Sequence, residues 1–316
     1  MALFGYLGGI FMRNYDYKKN TREISVPNDL KNKIKNIFVS KIYYDANIND
    51  IIAEFLIRDR GILLALGKNL MTWTDWRQLK ISCLQANTKT FSNNGILMEF
   101  LSHYILPNVF NLHSLLCFEI PSYEAPESGN DLIFFDSNCD LFIFEVKSKV
   151  SNDFSKNELK NKIKNAFTSL FCSKEIKNAK KIKIARDSVE EGLDLTEEEK
   201  EKIFYQLDKI ELSEGNIIDL VDDEYIKFNI CVIGNGFDVD DESLIYELPS
   251  LINTTVYCKS DCCYKDKDNH ICMINQLEKM MVLNIVNIEF NRELDLVSLN
   301  DKIVNLINLE GLDKRC

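Results

Sequence analysis

A chain of 316 residues, 46% hydrophobic and 28% charged, is long enough to bury one large core or two small ones. With five prolines, twelve glycines and no low-complexity tract, heptad pattern or repeat, it excludes a disordered or solenoid architecture. The formal net charge of −11 counts against unaided DNA binding, because sequence-independent affinity comes from Lys and Arg neutralising phosphates; either DNA is not the ligand, or another subunit holds it.

The apolar opening, residues 1–12, has no preceding basic residue and no small-residue cleavage site after it, so it is expected to be a buried terminal segment rather than a signal peptide. No run approaches the ~18 apolar residues of a membrane span, and a cytoplasmic protein without membrane partners is expected. In that compartment the cysteines stay reduced. Cys83, Cys117, Cys139, Cys172 and Cys231 each stand singly in apolar surroundings and are expected in the core.

Residues 36–44 are β-branched and aromatic enough for a strand, and residues 48–66 have the spacing of an amphipathic helix. A strongly apolar helix follows over 96–106, with Glu99 inside it and Pro107 as its stop. Short apolar runs then alternate with turn residues, which predicts strands over 115–120, 131–135 and 141–147 joined as an antiparallel meander. A helix is expected over 155–176, with Leu159, Ile163, Phe167 and Leu170 on one face, and a second from the capping-box sequence at Thr196 to Ile210. Strands over 226–233 and 283–290 and a closing helix over 299–309 complete an α/β layered arrangement. The chain divides on this pattern into a mixed α/β segment, 1–90, and a main domain, 91–316.

The most informative stretch is Leu141-Phe-Ile-Phe-Glu-Val-Lys147. Side chains alternate along a strand, so Glu145 and Lys147 share one face while Phe144 and Val146 take the other. Asp131 opens the neighbouring strand, and antiparallel pairing can bring its carboxylate beside Glu145. Two such carboxylates repel unless a divalent cation lies between them. Magnesium (or manganese) suits a few carboxylate oxygens with water and a substrate phosphate. The ion would activate water for phosphodiester hydrolysis, Lys147 would orient that water or stabilise developing charge, and Glu99 is the natural third carboxylate. A lone Glu-x-Lys triplet is more commonly a solvated face or a cross-strand ion pair. What separates this one is the chain order of a carboxylate in an apolar helix, an Asp opening a strand, and Glu-x-Lys closing a hydrophobic strand.

This order resembles the PD-(D/E)xK nuclease superfamily, with Glu99 in Gly95-Ile-Leu-Met-Glu-Phe-Leu, Asp131 in Gly129-Asn-Asp-Leu, and Glu145 and Lys147 in Phe144-Glu-Val-Lys-Ser-Lys. No proline precedes Asp131, which makes the signature a relaxed one. More narrowly, residues 95–176 resemble the HamA/AbpA family, effectors of the Hachiman anti-phage system; members commonly carry Ser where this chain has Val146. The resemblance implies a restriction-endonuclease-like core of helix, strand meander, helix and further strand. It also implies a magnesium-dependent deoxyribonuclease with catalytic Glu99, Asp131, Glu145 and Lys147, and a HamB-like superfamily 2 helicase as partner. Such a partner would supply the phosphate contacts that an acidic chain lacks. A catalytically silent scaffold that grips a helicase is the rival from another class, and RNA is the rival substrate.

Cys258, Cys262, Cys263, His270 and Cys272 hold enough soft ligands for a structural zinc ion, in a spacing that fits no standard finger; reduced thiols in a polar loop are the alternative. His103 is expected in the core or on a helix flank, one turn after Glu99, and His113 in a loop. Lys156, Lys160 and Lys164 share a helix face that is either solvated or a basic support to the site. Gly234-Asn-Gly-Phe-Asp lacks the third glycine of a dinucleotide fingerprint and is expected to be a turn. No Walker sequence, nucleophile elbow or zincin motif occurs.

Overall fold

A computed structural model describes residues 17–28, 31, 34–45, 95–116, 132–149, 155–172, 179–191, 193, 195–213, 220, 223–234, 247, 250 and 281–290. Within them lie β1 (Tyr17–Ile24), β2 (Ile34–Tyr44), α1 (Gly95–Phe110), β3 (His113–Ser114), β4 (Leu132–Phe135) and β5 (Leu141–Lys149). They are followed by α2 (Lys156–Cys172), α3 (Ala179–Glu191), α4 (Glu197–Leu212), β6 (Ile226–Gly234) and β7 (Met281–Phe290). The strands form one mixed sheet in the order β1-β2-β7-β6-β5-β4-β3. β2, β7, β6 and β5 are mutually parallel, while β1 at one edge and β4 with β3 at the other run antiparallel to their neighbours. The expected α/β class and the meander into β5 are both present. β6 and β7 read as near-continuous apolar runs because parallel strands are covered on both faces.

Alternation along the strands divides the core into two layers. One face carries Leu141 and Ile143 of β5, Phe228, Ile230 and Val232 of β6, and Leu283 and Ile285 of β7. Against it lie Leu159, Ile163, Phe167 and Leu170 of α2, Ile182, Ala185 and Val189 of α3, and Ile203, Leu207 and Ile210 of α4. The other face receives α1, whose Phe110 ring lies 6.2 Å from that of Phe144. Lys19 of the edge strand β1 donates to the Val109 carbonyl at 3.3 Å and sits 4.3 Å above the Phe110 ring. Since β1 and β5 are four places apart in the sheet, the sheet curls around the end of α1.

Three expectations are corrected. Pro107 does not stop α1 but lies inside it. A helical proline forgoes one hydrogen bond, yet the chain turns only at Asn111, where φ is 53°. There the Leu112 N–H donates to the Pro107 carbonyl at 2.8 Å, the long bond of a Schellman cap. Of the strand expected over 115–120, Leu115 and Leu116 form a bend and residues 117–120 lie outside the described ones; the short strand β3 precedes it and places His113 opposite Phe135 rather than in a loop. β1 and α3 have no counterpart among the expected elements. The segment 1–90 contributes β1 and β2 to the same sheet as the rest of the chain, β2 pairing directly with β7. The expected helices over 48–66 and 299–309 and the opening residues 1–12 lie outside the described residues.

Candidate active site

β5 is a strand because five of its first six residues are β-branched, aromatic or Leu, and its pairing on both edges fixes which way each side chain points. Glu145 aligns with Ile230 of β6, and Ile230 with Leu283 of β7, all on the face covered by α2, α3 and α4. A carboxylate in that apolar layer, 3% exposed, is costly unless another group compensates it. Lys147, two residues on and therefore on the same face, supplies compensation: its Nζ donates to Glu145 Oε1 at 2.5 Å. The lysine side chain is 27% exposed against 5% for the glutamate, so the ammonium bridges a buried acid to the solvent edge. A charge-assisted bond of that length fixes both groups before any ligand arrives.

β4 pairs with β5 as far as Leu132 opposite Phe144. Asp131, the preceding residue in sequence, lies outside the described residues. Glu99 is in the second turn of α1, its side chain outside the described part of the structure; its helix packs on the Phe144 face, opposite to the face that carries Glu145 and Lys147. The structure thus brings together Glu145 and Lys147 of the four expected residues. Among the described residues no three of His, Cys, Asp and Glu gather as a ready metal cluster.

α2 begins where expected. The Glu158 N–H donates to Ser155 Oγ at 3.4 Å, and the Ser155 N–H to Glu158 Oε2 at 2.9 Å, a capping box. Of the lysines on α2, Lys156 pairs with Glu247 at 2.8 Å, Lys160 is half-buried and Lys164 exposed. His103 is buried, as expected of a core position. Cys139 and Cys231 are buried free thiols, and burial pushes the Cys139 thiol above its usual pKa, which makes it a poor nucleophile. Cys83, Cys117, residues 235–238 and the Cys258, Cys262, Cys263, His270, Cys272 group lie outside the described residues, and so does the side chain of Cys172. Asn287, a buried carboxamide near the end of β7, was not among the expected site residues; its one sequence signal is an amide interrupting an apolar strand. Among the described residues no helix is long and apolar enough to cross a membrane. No family model matches the chain, and no curated protein matches it either.

Proposed function

We propose that this chain is a metal-dependent DNA nuclease of the PD-(D/E)xK kind, similar to the HamA/AbpA effectors, acting with a partner helicase in anti-phage defence. The observation that carries the proposal is Glu145, a carboxylate placed in an apolar layer and held by Lys147 at 2.5 Å. Stability alone favours a hydrophobic residue there, and residues kept against such a cost concentrate at functional sites. The order of elements supports it too: a helix, three antiparallel strands, helices, and then a strand parallel to the third.

Extended by one residue beyond Leu132 opposite Phe144, the β4–β5 register would set Asp131 opposite Glu145. Asp131 and Glu145 are the residues that would hold a magnesium or manganese ion, and Glu99, whose helix packs on the other face of the sheet, would have to reach it around the sheet's edge. All three offer hard carboxylate oxygens and no thiol or imidazole, a donor set that fits such an ion and not zinc. When bound, it supplies charge neutralisation at the phosphate and a lowered pKa for water. The chain's own part falls to Lys147, whose ammonium, anchored on Glu145 and reaching the solvent edge, can donate to a phosphate oxygen as negative charge develops on it. With a net charge of −11, the long-range phosphate contacts are assigned to the helicase.

The Glu145–Lys147 pair also satisfies its own charges, which favours a silent scaffold as the second reading. The two separate in one experiment. With magnesium and partner present, the parent chain is expected to degrade DNA, whereas Glu145→Ala and Lys147→Ala lose at least about a hundredfold in rate while keeping the parent's circular dichroism. Undiminished cleavage by both variants rejects the assignment; no cleavage by the parent and no magnesium or manganese binding favours the scaffold.

A further inference from the structure

Asn287 is 4% exposed, and its Oδ1 is buried with no hydrogen-bond partner. A desolvated acceptor left unpaired is unfavourable, and an aliphatic side chain like those of Ile285 and Ile288 beside it would pack there without that cost. The other two buried asparagines of the central strands are provided for. Asn284 Nδ2 donates to Asn229 Oδ1 at 3.4 Å, and Asn229 Nδ2 to the Lys227 carbonyl at 3.0 Å. Asn287 stands apart from them on the opposite face of the sheet, because its position in β7 is odd-numbered like those of Leu283 and Ile285.

Its neighbours across the sheet give it a use. The register aligns Lys149 with Gly234, Gly234 with Asn287, and Asn287 with Lys41. One step of two residues earlier, the same strands align Lys147, Val232, Ile285 and Val39; two steps earlier they align Glu145, Ile230, Leu283 and Ile37. Asn287 therefore shares the face of Glu145 and Lys147 and lies beyond them, toward the carboxyl ends of four parallel strands. Open α/β sheets bind their ligands at those ends. Gly234, itself buried, contributes no side chain to its row, so no Cβ stands beside the carboxamide on that side. Strand spacing and rise put the Cα atoms of Asn287 and Lys147 about 12 Å apart. That is too far for both to touch one phosphate, and close enough for neighbouring nucleotides of a single strand.

Resting on the nuclease proposal, we infer that Asn287 and Gly234 form a substrate-binding subsite for the nucleotide next to the one cleaved. The Asn287 Oδ1 accepts a hydrogen bond from water carried by that nucleotide's phosphate, and the missing side chain at Gly234 leaves room for that water. Asn287 positions substrate and takes no part in bond breaking.

The test measures steady-state cleavage of a fluorescent oligonucleotide at low salt by the full chain with magnesium and its partner helicase, and anisotropy of the same oligonucleotide on the complex carrying Glu145→Gln, which binds without cutting. Asn287→Leu and Gly234→Val are each expected to raise KM and Kd about tenfold with kcat within about twofold, and the Asn287→Leu chain to melt at or above the parent temperature. Unchanged KM and Kd in both variants overturn the inference. A lowered melting temperature with unchanged KM also overturns it, since that marks a structural water only. Cleavage by the parent with Asn287→Leu unaffected sinks the subsite and spares the nuclease; absent cleavage with binding still weakened by Asn287→Leu does the reverse.

Discussion

The carboxylate of Glu145 lies in a layer otherwise built of Ile230, Leu283 and Ile143, and the 2.5 Å contact to Lys147 compensates part of the cost. Removing one partner of such a pair strands a charge in low dielectric, whereas removing both leaves a packing problem only. Lys147→Met is therefore expected to lower stability by about 1–3 kcal/mol, the partial exposure of the lysine keeping the loss below that of a fully buried pair. Adding Glu145→Gln to it is expected to restore most of the loss. Urea denaturation of the two single variants, the double variant and the parent in the presence of EDTA measures the coupling. Additive effects would mean that Glu145 draws its compensation from elsewhere.

At the scale of elements, α4 is fastened to the start of β5 by one side chain. Gln206, 3% exposed, accepts from the Leu141 N–H at 2.8 Å through Oε1 and donates to the Cys139 carbonyl at 2.6 Å through Nε2. These backbone groups lie at the turn between β4 and β5, so Gln206 helps set the register that aims Glu145. Gln206→Ala leaves the buried Cys139 carbonyl short of a partner, while the Leu141 N–H keeps the Tyr225 carbonyl at 2.8 Å, and is expected to cost about 1–2 kcal/mol. Chemical denaturation checks the value, and a cost under about 0.5 kcal/mol would mean that water replaces the amide. How far these elements could be read from sequence follows from the same physics. α4 was legible in its capping box, where Thr196 Oγ1 accepts from the Glu199 N–H at 3.3 Å, and β5 in its alternation. β1 was not, because Lys18 to Glu23 are exposed on an edge strand with almost no apolar face to reveal. α3 buries only Ile182, Ile184, Ala185 and Val189 among lysines, too few to stand out from a charged segment. Within the site, the Glu145–Lys147 spacing was readable because a strand has period two. Asn287 was not, since its unpaired acceptor is a property of three strands in register and of no local pattern.

The whole molecule is organised around β7, which pairs in parallel with β2 on one side and β6 on the other. Its residues Leu283, Ile285, Val286 and Ile288 are fully buried, so the strand fills both layers of the core at once. The contacts that hold this centre join residues 34–44 to residues 281–290, across most of the chain, and such parallel pairings close late because their loop entropy is lost before they gain anything. The curl of the sheet adds a second long-range tie, with Lys19 of β1 on the Phe110 ring and Phe110 on Phe144. A boundary drawn at residue 90 therefore crosses a hydrogen-bonded sheet. The fragment 91–316 expressed alone would present β7 as an open edge with an apolar face on each side, which is a template for association with other chains. It is expected to aggregate or to lack a cooperative thermal transition, and co-expression of residues 1–90 is expected to restore both solubility and the transition of the intact chain. Scanning calorimetry and size-exclusion chromatography of the fragment, alone and with its complement, decide the matter. A monomeric 91–316 melting within about 5 °C of the full chain would show that β1 and β2 are an appendage rather than part of the folding unit.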